Sequence, residues 1–192
     1  KTINMLSNKI MKNEEIKNLN NVTRLLPTKK QVEEINNYEL DKIKSKKFIY
    51  KRQYKESDVL TKNQKERLKL ITPFEKKNEF EYIKNNTLTE NILTLKKGAF
   101  VMCIVNIDSN IVNGSQGVII DFEDKFPIVK FNDGTIFTFK HHSWQSETIP
   151  GLCVCQLPLI LAWAVTIHKS QGLTLEKAII NIGNKVFEAG QT

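Results

Sequence analysis

The sequence of residues 162–174 reads Ala-Trp-Ala-Val-Thr-Ile-His-Lys-Ser-Gln-Gly-Leu-Thr, and its character changes halfway along. The first part continues an apolar run that begins at Leu159. Thr166 to Gly172 then supply two hydroxyls, an imidazole, an ammonium, an amide and a glycine within seven residues. These groups can donate hydrogen bonds to phosphate oxygens, and glycine lets a backbone amide come close to a ligand. The stretch predicts a strand that leads into a phosphate-binding loop.

A strand–loop–helix unit is predicted near the start of the chain. Residues 22–26 form a short β-type run that ends at Pro27. Thr28 can cap a helix over residues 31–43, in which Glu33 and Glu34 come early, where the helix dipole favours them. Lys29 follows Thr28 beside the helix N-terminus, which is a natural place for a phosphate. The apolar run 178–182 resembles a strand buried in a parallel sheet.

The middle of the chain reads as antiparallel β structure. Short apolar runs at 99–105, 118–122, 128–131 and 136–139 are separated by turn signals such as Asp133-Gly134. A final strand over residues 151–157 would close a small barrel. The predicted fold class is therefore α/β, with a parallel sheet interrupted by an inserted small antiparallel β-barrel.

The predicted domain order has four segments. Residues 1–19 form a polar entry segment, residues 20–94 the first part of the α/β domain with a connecting region, residues 95–157 the barrel, and residues 158–192 the return to the α/β domain. In the connecting region, Phe48 and Tyr50 suggest a strand, and residues 62–71 and 74–84 suggest two short helices.

The charge is unevenly distributed. The chain has 29 basic and 21 acidic residues, but residues 1–97 carry a net charge of +10 and residues 98–192 a net charge of −2. A bias toward Lys, Asn and Ile can raise the charge without selection for function, so this is modest support for a polyanionic partner. The chain starts at a lysine, and we interpret it as part of a longer protein.

Several classes of protein and of site are not expected. The apolar run at 157–165 is too short to span a bilayer, and no signal-type segment is visible. The odd number of cysteines predicts buried free thiols in a reducing, intracellular compartment. His141-His142 lacks further ligands for a metal site, and Trp144 could either pack at the barrel rim or stack on a base.

Several stretches together resemble a known family. Thr166 to Thr174 is similar to motif V of PIF-type and RecD-like superfamily 1 DNA helicases, and residues 23–36 are similar to their motif IV. Residues 95–102 and 112–119 resemble the Src-homology-3-like barrel inserted in these proteins, and residues 187–192 resemble the approach to motif VI. The resemblance implies that the α/β part is the second RecA-like motor domain, C-terminal in the helicase.

The resemblance also implies roles for individual residues. The DNA-binding set would be Thr28, Lys29, Thr166, His168, Lys169 and Ser170. Gln171 and Gly172 would couple the DNA contact to the nucleotide, and Arg24 is a weaker candidate for that coupling. The implied partners are single-stranded DNA, duplex junctions and the N-terminal RecA-like domain of the same chain, in a monomer without membrane contact. The implied cofactors are ATP and Mg²⁺.

The departures from the family pattern limit what this chain can do alone. It has no Gly-x-x-x-x-Gly-Lys-Ser/Thr phosphate loop and no Asp-Glu pair of the motif II kind. It therefore holds no complete catalytic site and is predicted to be inactive as an ATPase. The predicted function is the C-terminal motor part of an ATP-dependent DNA helicase that moves 5′ to 3′, as in replication, recombination and repair. The alternative is a non-catalytic module that binds single-stranded nucleic acid.

Overall fold

A three-stranded parallel sheet brings the two ends of the described chain together. The computed structural model describes residues 21–57, 60–175 and 177–180. In this sheet β1 (Thr23–Leu26) lies between β12 (Ala164–Thr166) and β13 (Ala178–Ile180). Arg24 lies opposite Ala164 on one side and Ile179 on the other. The predicted parallel sheet is therefore present, while residues 1–20 and 181–192, including the motif VI approach, lie outside the described residues.

Helix α1 (Lys29–Lys42) packs on this sheet. Its N-cap is Thr28, as predicted, and its inward side carries the buried Leu40 and the buried Asn36. The helix begins two residues earlier than predicted, because the cap itself precedes Lys29 directly. Glu33 and Glu34 consequently lie beyond the first turn, which contains no acidic residue.

A five-stranded antiparallel sheet forms the centre of the chain, in the order β11-β5-β6-β7-β8. The predicted turn at Asp133-Gly134 does connect β7 and β8, and Gly134 adopts a φ of 92°. The strands of this sheet are β5 (Phe100–Cys103), β6 (Gln116–Glu123), β7 (Phe126–Phe131), β8 (Ile136–Thr138) and β11 (Leu159–Leu161).

The pairing of the last strands corrects the prediction. β10 (Leu152–Gln156) was expected to close the barrel, but it pairs with β3 (Gln53–Glu56) and β9 (His142–Gln145) in a separate sheet. β11, expected to belong to the α/β part, pairs instead with β5. Both strands are buried at every position. Their sequences therefore show no alternation that could indicate which sheet each one joins.

The connecting region contains the predicted strand and two helices. β2 (Lys47–Lys51) pairs with β4 (Ile92–Lys96), and α2 (Lys62–Leu70) and α3 (Pro73–Asn86) lie between. Both helices begin with a capping box, in which Thr61 pairs with Gln64 and Thr72 with Glu75. Among the described residues no helix is long and apolar enough to cross a membrane.

The main hydrophobic core lies between the antiparallel sheet and the β2–β4 pair. Phe131 and Phe139 are buried in this core, and Phe122 stacks on Phe48 beside it with ring centroids 3.9 Å apart. The three free cysteines are buried, as predicted. The best-buried members of this core are Leu93, Leu95, Ala99, Val101, Cys103, Val129, Phe139, Leu157 and Leu159.

Candidate nucleic-acid interface

The predicted site residues converge at the carboxyl edge of the parallel sheet. β1 and β12 run in the same direction, so both end at this edge, where Leu26 lies opposite Thr166. The Ile167 backbone N–H extends the pairing by donating to the Leu26 carbonyl at 3.0 Å. The Thr28–Lys29 corner and the loop over residues 167–172 therefore lie side by side, although they are far apart in the sequence.

Thr28 shapes the first half of this edge. Its hydroxyl oxygen accepts from the Gln31 backbone N–H at 3.3 Å, and the hydroxyl donates to the Gln31 side-chain oxygen at 2.9 Å. The Thr28 hydroxyl proton is thus already used, so this group can make a further hydrogen bond only as an acceptor. Lys29 and Lys30 follow in the first turn with exposed side chains. Positive charge thus surrounds a helix N-terminus, which favours an anionic ligand.

Two hydroxyls shape the second half. The Thr166 hydroxyl is buried and accepts from the Lys169 backbone N–H at 3.2 Å, while the Ser170 hydroxyl donates to the Ile167 carbonyl at 2.7 Å. These bonds close a 3-10 turn over His168–Ser170. The structure therefore gives Thr166 and Ser170 a role in holding the loop rather than an exposed position on it.

The outer surface of the loop is formed by three residues. His168, Gln171 and Gly172 are exposed. Gly172 has a φ of 77°, and a Cβ atom there would have no neighbour within 4 Å. The glycine thus serves the backbone conformation of the turn, and the space in front of it is open to a ligand.

Lys169 points into a cluster of charges rather than freely into solvent. Its side chain is half-buried, and burial lowers the pKa of its ammonium. The nearby carboxylates of Glu90 and Glu33 oppose this lowering. The cations of Lys29 and Arg52 add to it. Lys169 is therefore a cation whose charge the protein partly balances from within.

Glu90 lies beside Lys169 at the candidate site, and the sequence gives no indication of it. It is half-buried, and burial raises the pKa of its carboxyl, against the attraction of Lys169. Its backbone carbonyl accepts from the Gln156 side chain at 3.1 Å. Arg52 fixes the same segment by donating to the Thr89 carbonyl and, at 2.8 Å, to the Thr89 hydroxyl. A single glutamate in a polar stretch carries no sequence signal that could have revealed this position.

Buried amides anchor the two strands that present the edge. The Asn36 side chain donates to the Ala164 carbonyl at 3.0 Å and accepts from the Ala164 N–H at 2.9 Å. The Thr23 hydroxyl donates to the Ala162 carbonyl at 2.6 Å and accepts from the Gln116 side chain at 2.7 Å. Gln116 belongs to β6, so this chain of bonds ties the antiparallel sheet to β1.

The remaining candidates lie elsewhere or stay predictions. Arg24 is half-buried in the middle of β1, and its backbone N–H donates to the Trp163 carbonyl at 3.0 Å. Trp144 packs on the core cluster around Phe100 and meets the His142 ring edge-on at 4.6 Å. This packing agrees with the prediction that Trp144 could pack at the barrel rim. A nucleotide contact by Arg24 is a prediction that the structure does not test.

Comparison with known proteins places this geometry among DNA helicases. Residues 79–122 match the family model "DNA helicase Pif1, 2B domain". The ATP-dependent DNA helicase Pif1 of Campylobacter jejuni is 31% identical over 195 residues, covering 92% of this chain and 40% of its own length. The ATP-dependent DNA helicase PIF1 of Danio rerio is 43% identical over 107 residues, covering 52% of this chain and 17% of its own.

Solved structures agree with the sequence comparison. Bacteroides sp. Pif1 in complex with ADP-AlF4 superimposes with a TM-score of 0.65 and 26% identity, covering 90% of this chain and 37% of that one. Bacteroides Pif1 bound to ssDNA gives a TM-score of 0.59 and 27% identity, covering 88% and 36%. The predicted resemblance and the α/β fold class are confirmed. The chain spans between about a sixth and two fifths of the curated relatives' length.

Proposed function

With the chain identified as similar to the C-terminal part of Pif1-type superfamily 1 helicases, we propose that it is the second motor domain of an ATP-dependent DNA helicase. In this proposal the carboxyl edge of the parallel sheet holds the backbone of single-stranded DNA while the longer protein moves 5′ to 3′ and unwinds duplex at a junction. The protein acts as a monomer in a reducing, intracellular compartment, without contact to a membrane.

The observation that carries the proposal is the juxtaposition of the Thr28–Lys29 corner with the 167–172 loop. Lys29 and His168 are exposed there and can contact successive phosphates directly. Lys169 supplies a further cation when a phosphate competes with Glu90 for it. The hydroxyls of Thr166 and Ser170 contribute by fixing the loop that carries these groups.

ATP enters the proposal through the longer protein. The sequence has no phosphate loop, and the described residues contain no group of three or more His, Cys, Asp or Glu side chains that could hold a metal ion. The proposal places ATP and Mg²⁺ mainly on the N-terminal RecA-like domain. Gln171 and Gly172, and Arg24 as a weaker candidate, would sense the nucleotide at the interface with that domain.

A salt titration of DNA binding tests the proposal. We expect the 192-residue chain to bind a fluorescent (dT)20 oligonucleotide weakly, with a slope of log K against log salt of about −2 for three phosphate contacts on a single strand. Lys29→Ala should reduce that slope by about 0.7, whereas Lys77→Ala, which removes an exposed lysine from α3, should leave it unchanged. Tight binding that salt does not weaken would contradict the proposal.

The alternative function is a non-catalytic module that binds single-stranded nucleic acid. It shares the phosphate-binding edge, so DNA affinity alone does not separate it from the helicase. The chain by itself should release no phosphate from ATP under either function. The longer protein decides between them, because a helicase must hydrolyse ATP faster when (dT)20 is added and the module must not.

A further inference from the structure

The antiparallel sheet touches the end of the candidate DNA-binding loop through bare backbone. The turn over residues 113–115, which leads into β6, faces Thr174. A Cβ atom on Gly114 would lie 2.5 Å from the Thr174 carbonyl oxygen and 2.6 Å from its nitrogen. The Thr174 N–H donates to the Asn113 carbonyl at 3.3 Å. The contact leaves no room for any side chain at position 114.

The turn itself is firmly held by the sheet that carries it. Gly114 donates its N–H to the Cys103 carbonyl, and Cys103 donates to the Ser115 carbonyl, each at 2.9 Å. The Ser115 hydroxyl accepts from the Val112 N–H at 2.9 Å, and the Asn106 side chain accepts from Asn113 at 2.8 Å. These bonds hold the turn in place, so that the position of Thr174 depends on the turn.

Apolar packing fixes the same end of the loop. Leu173 and Leu175 pack against the cluster that contains Phe100, Ile160 and Val165. The loop is therefore anchored at its start by Thr166 on the parallel sheet and at its end by the antiparallel sheet. The part between these anchors exposes His168, Gln171 and Gly172.

We propose that the 113–115 turn is a positioning surface, which orients the exposed part of the 167–172 loop for DNA by fixing Thr174. Gly114 is its positioning residue. The inference rests on the proposed function, because it states that the inserted sheet affects how strongly the loop binds a phosphate backbone. Distortion of the turn should therefore weaken DNA binding without removing any DNA-contacting side chain.

Three glycine variants separate this role from general damage. Gly114→Ala introduces the clash with Thr174 at a φ of 104°. Gly134→Ala introduces the same kind of backbone strain at a φ of 92°, but with nothing within 4 Å. Gly117→Ala puts a Cβ atom 2.6 Å from the Lys130 carbonyl oxygen, which is a clash inside the sheet and away from the loop.

Two measurements on the 192-residue chain test the proposal. We expect Gly114→Ala to lower (dT)20 affinity about tenfold and to speed amide hydrogen exchange across residues 168–174. Gly134→Ala and Gly117→Ala should change neither the affinity for (dT)20 nor the exchange rate by more than their loss of thermal stability explains. Equal effects of Gly114→Ala and Gly117→Ala would overturn the proposal, as would unchanged exchange in Gly114→Ala.

Further outcomes separate the two proposals. If the unaltered chain does not bind (dT)20, the proposed function fails, while the exchange measurement still decides whether the turn positions the loop. If Gly114→Ala does not fold, Ser115→Ala replaces it, because it removes the hydroxyl that accepts from the Val112 N–H and so loosens the turn itself. Exchange across residues 168–174 of Ser115→Ala that matches the unaltered chain would then refute the positioning role.

Discussion

Replacement of Asn36 by alanine should destabilise the parallel sheet far more than replacement of its neighbour Asn37. Asn36 is 5% exposed, and the nitrogen and the oxygen of its side-chain amide both bond to the backbone of Ala164, which is 1% exposed. Ala164 lies in β12, which is an outer strand of the sheet formed by the described residues, and the Asn36 side chain bonds to its outward-facing backbone groups. Asn37 is exposed on the outer side of the same helix.

The expected cost follows from the groups left without partners. Asn36→Ala leaves one buried N–H and one buried carbonyl on Ala164, at about 1–3 kcal/mol each, so a total of about 2–6 kcal/mol is expected. Alanine has a higher helix propensity than asparagine, which should stabilise both variants by about 0.5 kcal/mol. Asn37→Ala measures this stabilisation by itself. The difference between the two variants isolates the hydrogen bonds to the strand.

Urea unfolding followed by circular dichroism gives the free energies, and hydrogen exchange of the Ala164 amide gives a local check. In Asn36→Ala this amide should exchange faster, since its acceptor has gone. It should stay protected in Asn37→Ala. A difference between the variants below about 1 kcal/mol, together with an Ala164 amide that remains protected, would refute the reasoning and imply that water replaces the side chain.

Three further predictions follow from charges, caps and coupling. Burial raises the pKa of the Glu90 carboxyl. The contribution of this group to the free energy of unfolding is therefore fully present below the ordinary glutamate pKa, and it is lost as pH rises through the raised pKa. Glu90→Gln should therefore gain thermal stability relative to the unaltered chain between about pH 4 and pH 7, and a pH-independent difference in melting temperature would argue against this. Thr72→Ala removes the capping box of α3 and should cost about 1 kcal/mol in urea unfolding, whereas an unchanged midpoint would show that the cap is dispensable. In the longer protein, Gln171→Ala should reduce DNA-stimulated ATP hydrolysis about 10²–10³-fold with DNA affinity nearly intact, while Lys169→Ala should mainly weaken binding, and identical profiles would contradict separate roles.

The sequence predicts the local elements of this protein better than the pairing between them. The cap at Thr28, the turn at Asp133-Gly134 and the two helices of the connecting region follow from short-range rules of dihedral preference and capping. The partner of β10 does not, because a strand buried on both faces has no polar side to orient it. Loop chemistry located the candidate site at residues 166–172.

What the sequence could not provide is the set of residues that support that site. Asn36, Gln116 and Glu90 act across more than 50 residues of chain, and each is an ordinary polar residue in its local context. Their function depends on burial, which only the folded chain creates. The same limit applies to Lys169, which the resemblance assigns to DNA binding and which the structure partly buries beside Glu90.

The bond between Thr23 and Ala162 spans 139 residues, and this separation has a consequence for how the chain is made. Ribosomes add about 5–20 residues per second, so β1 leaves the ribosome roughly 7–28 s before the strand it pairs with. The hairpins from β5 to β8 are local and close within microseconds once synthesised. Strands β5 to β8 can therefore pair before β12 is synthesised, and β11 then joins them and brings β12 back to β1. During that interval β1 is an unpaired edge, and its short length and the charge of Arg24 protect it from association with other chains.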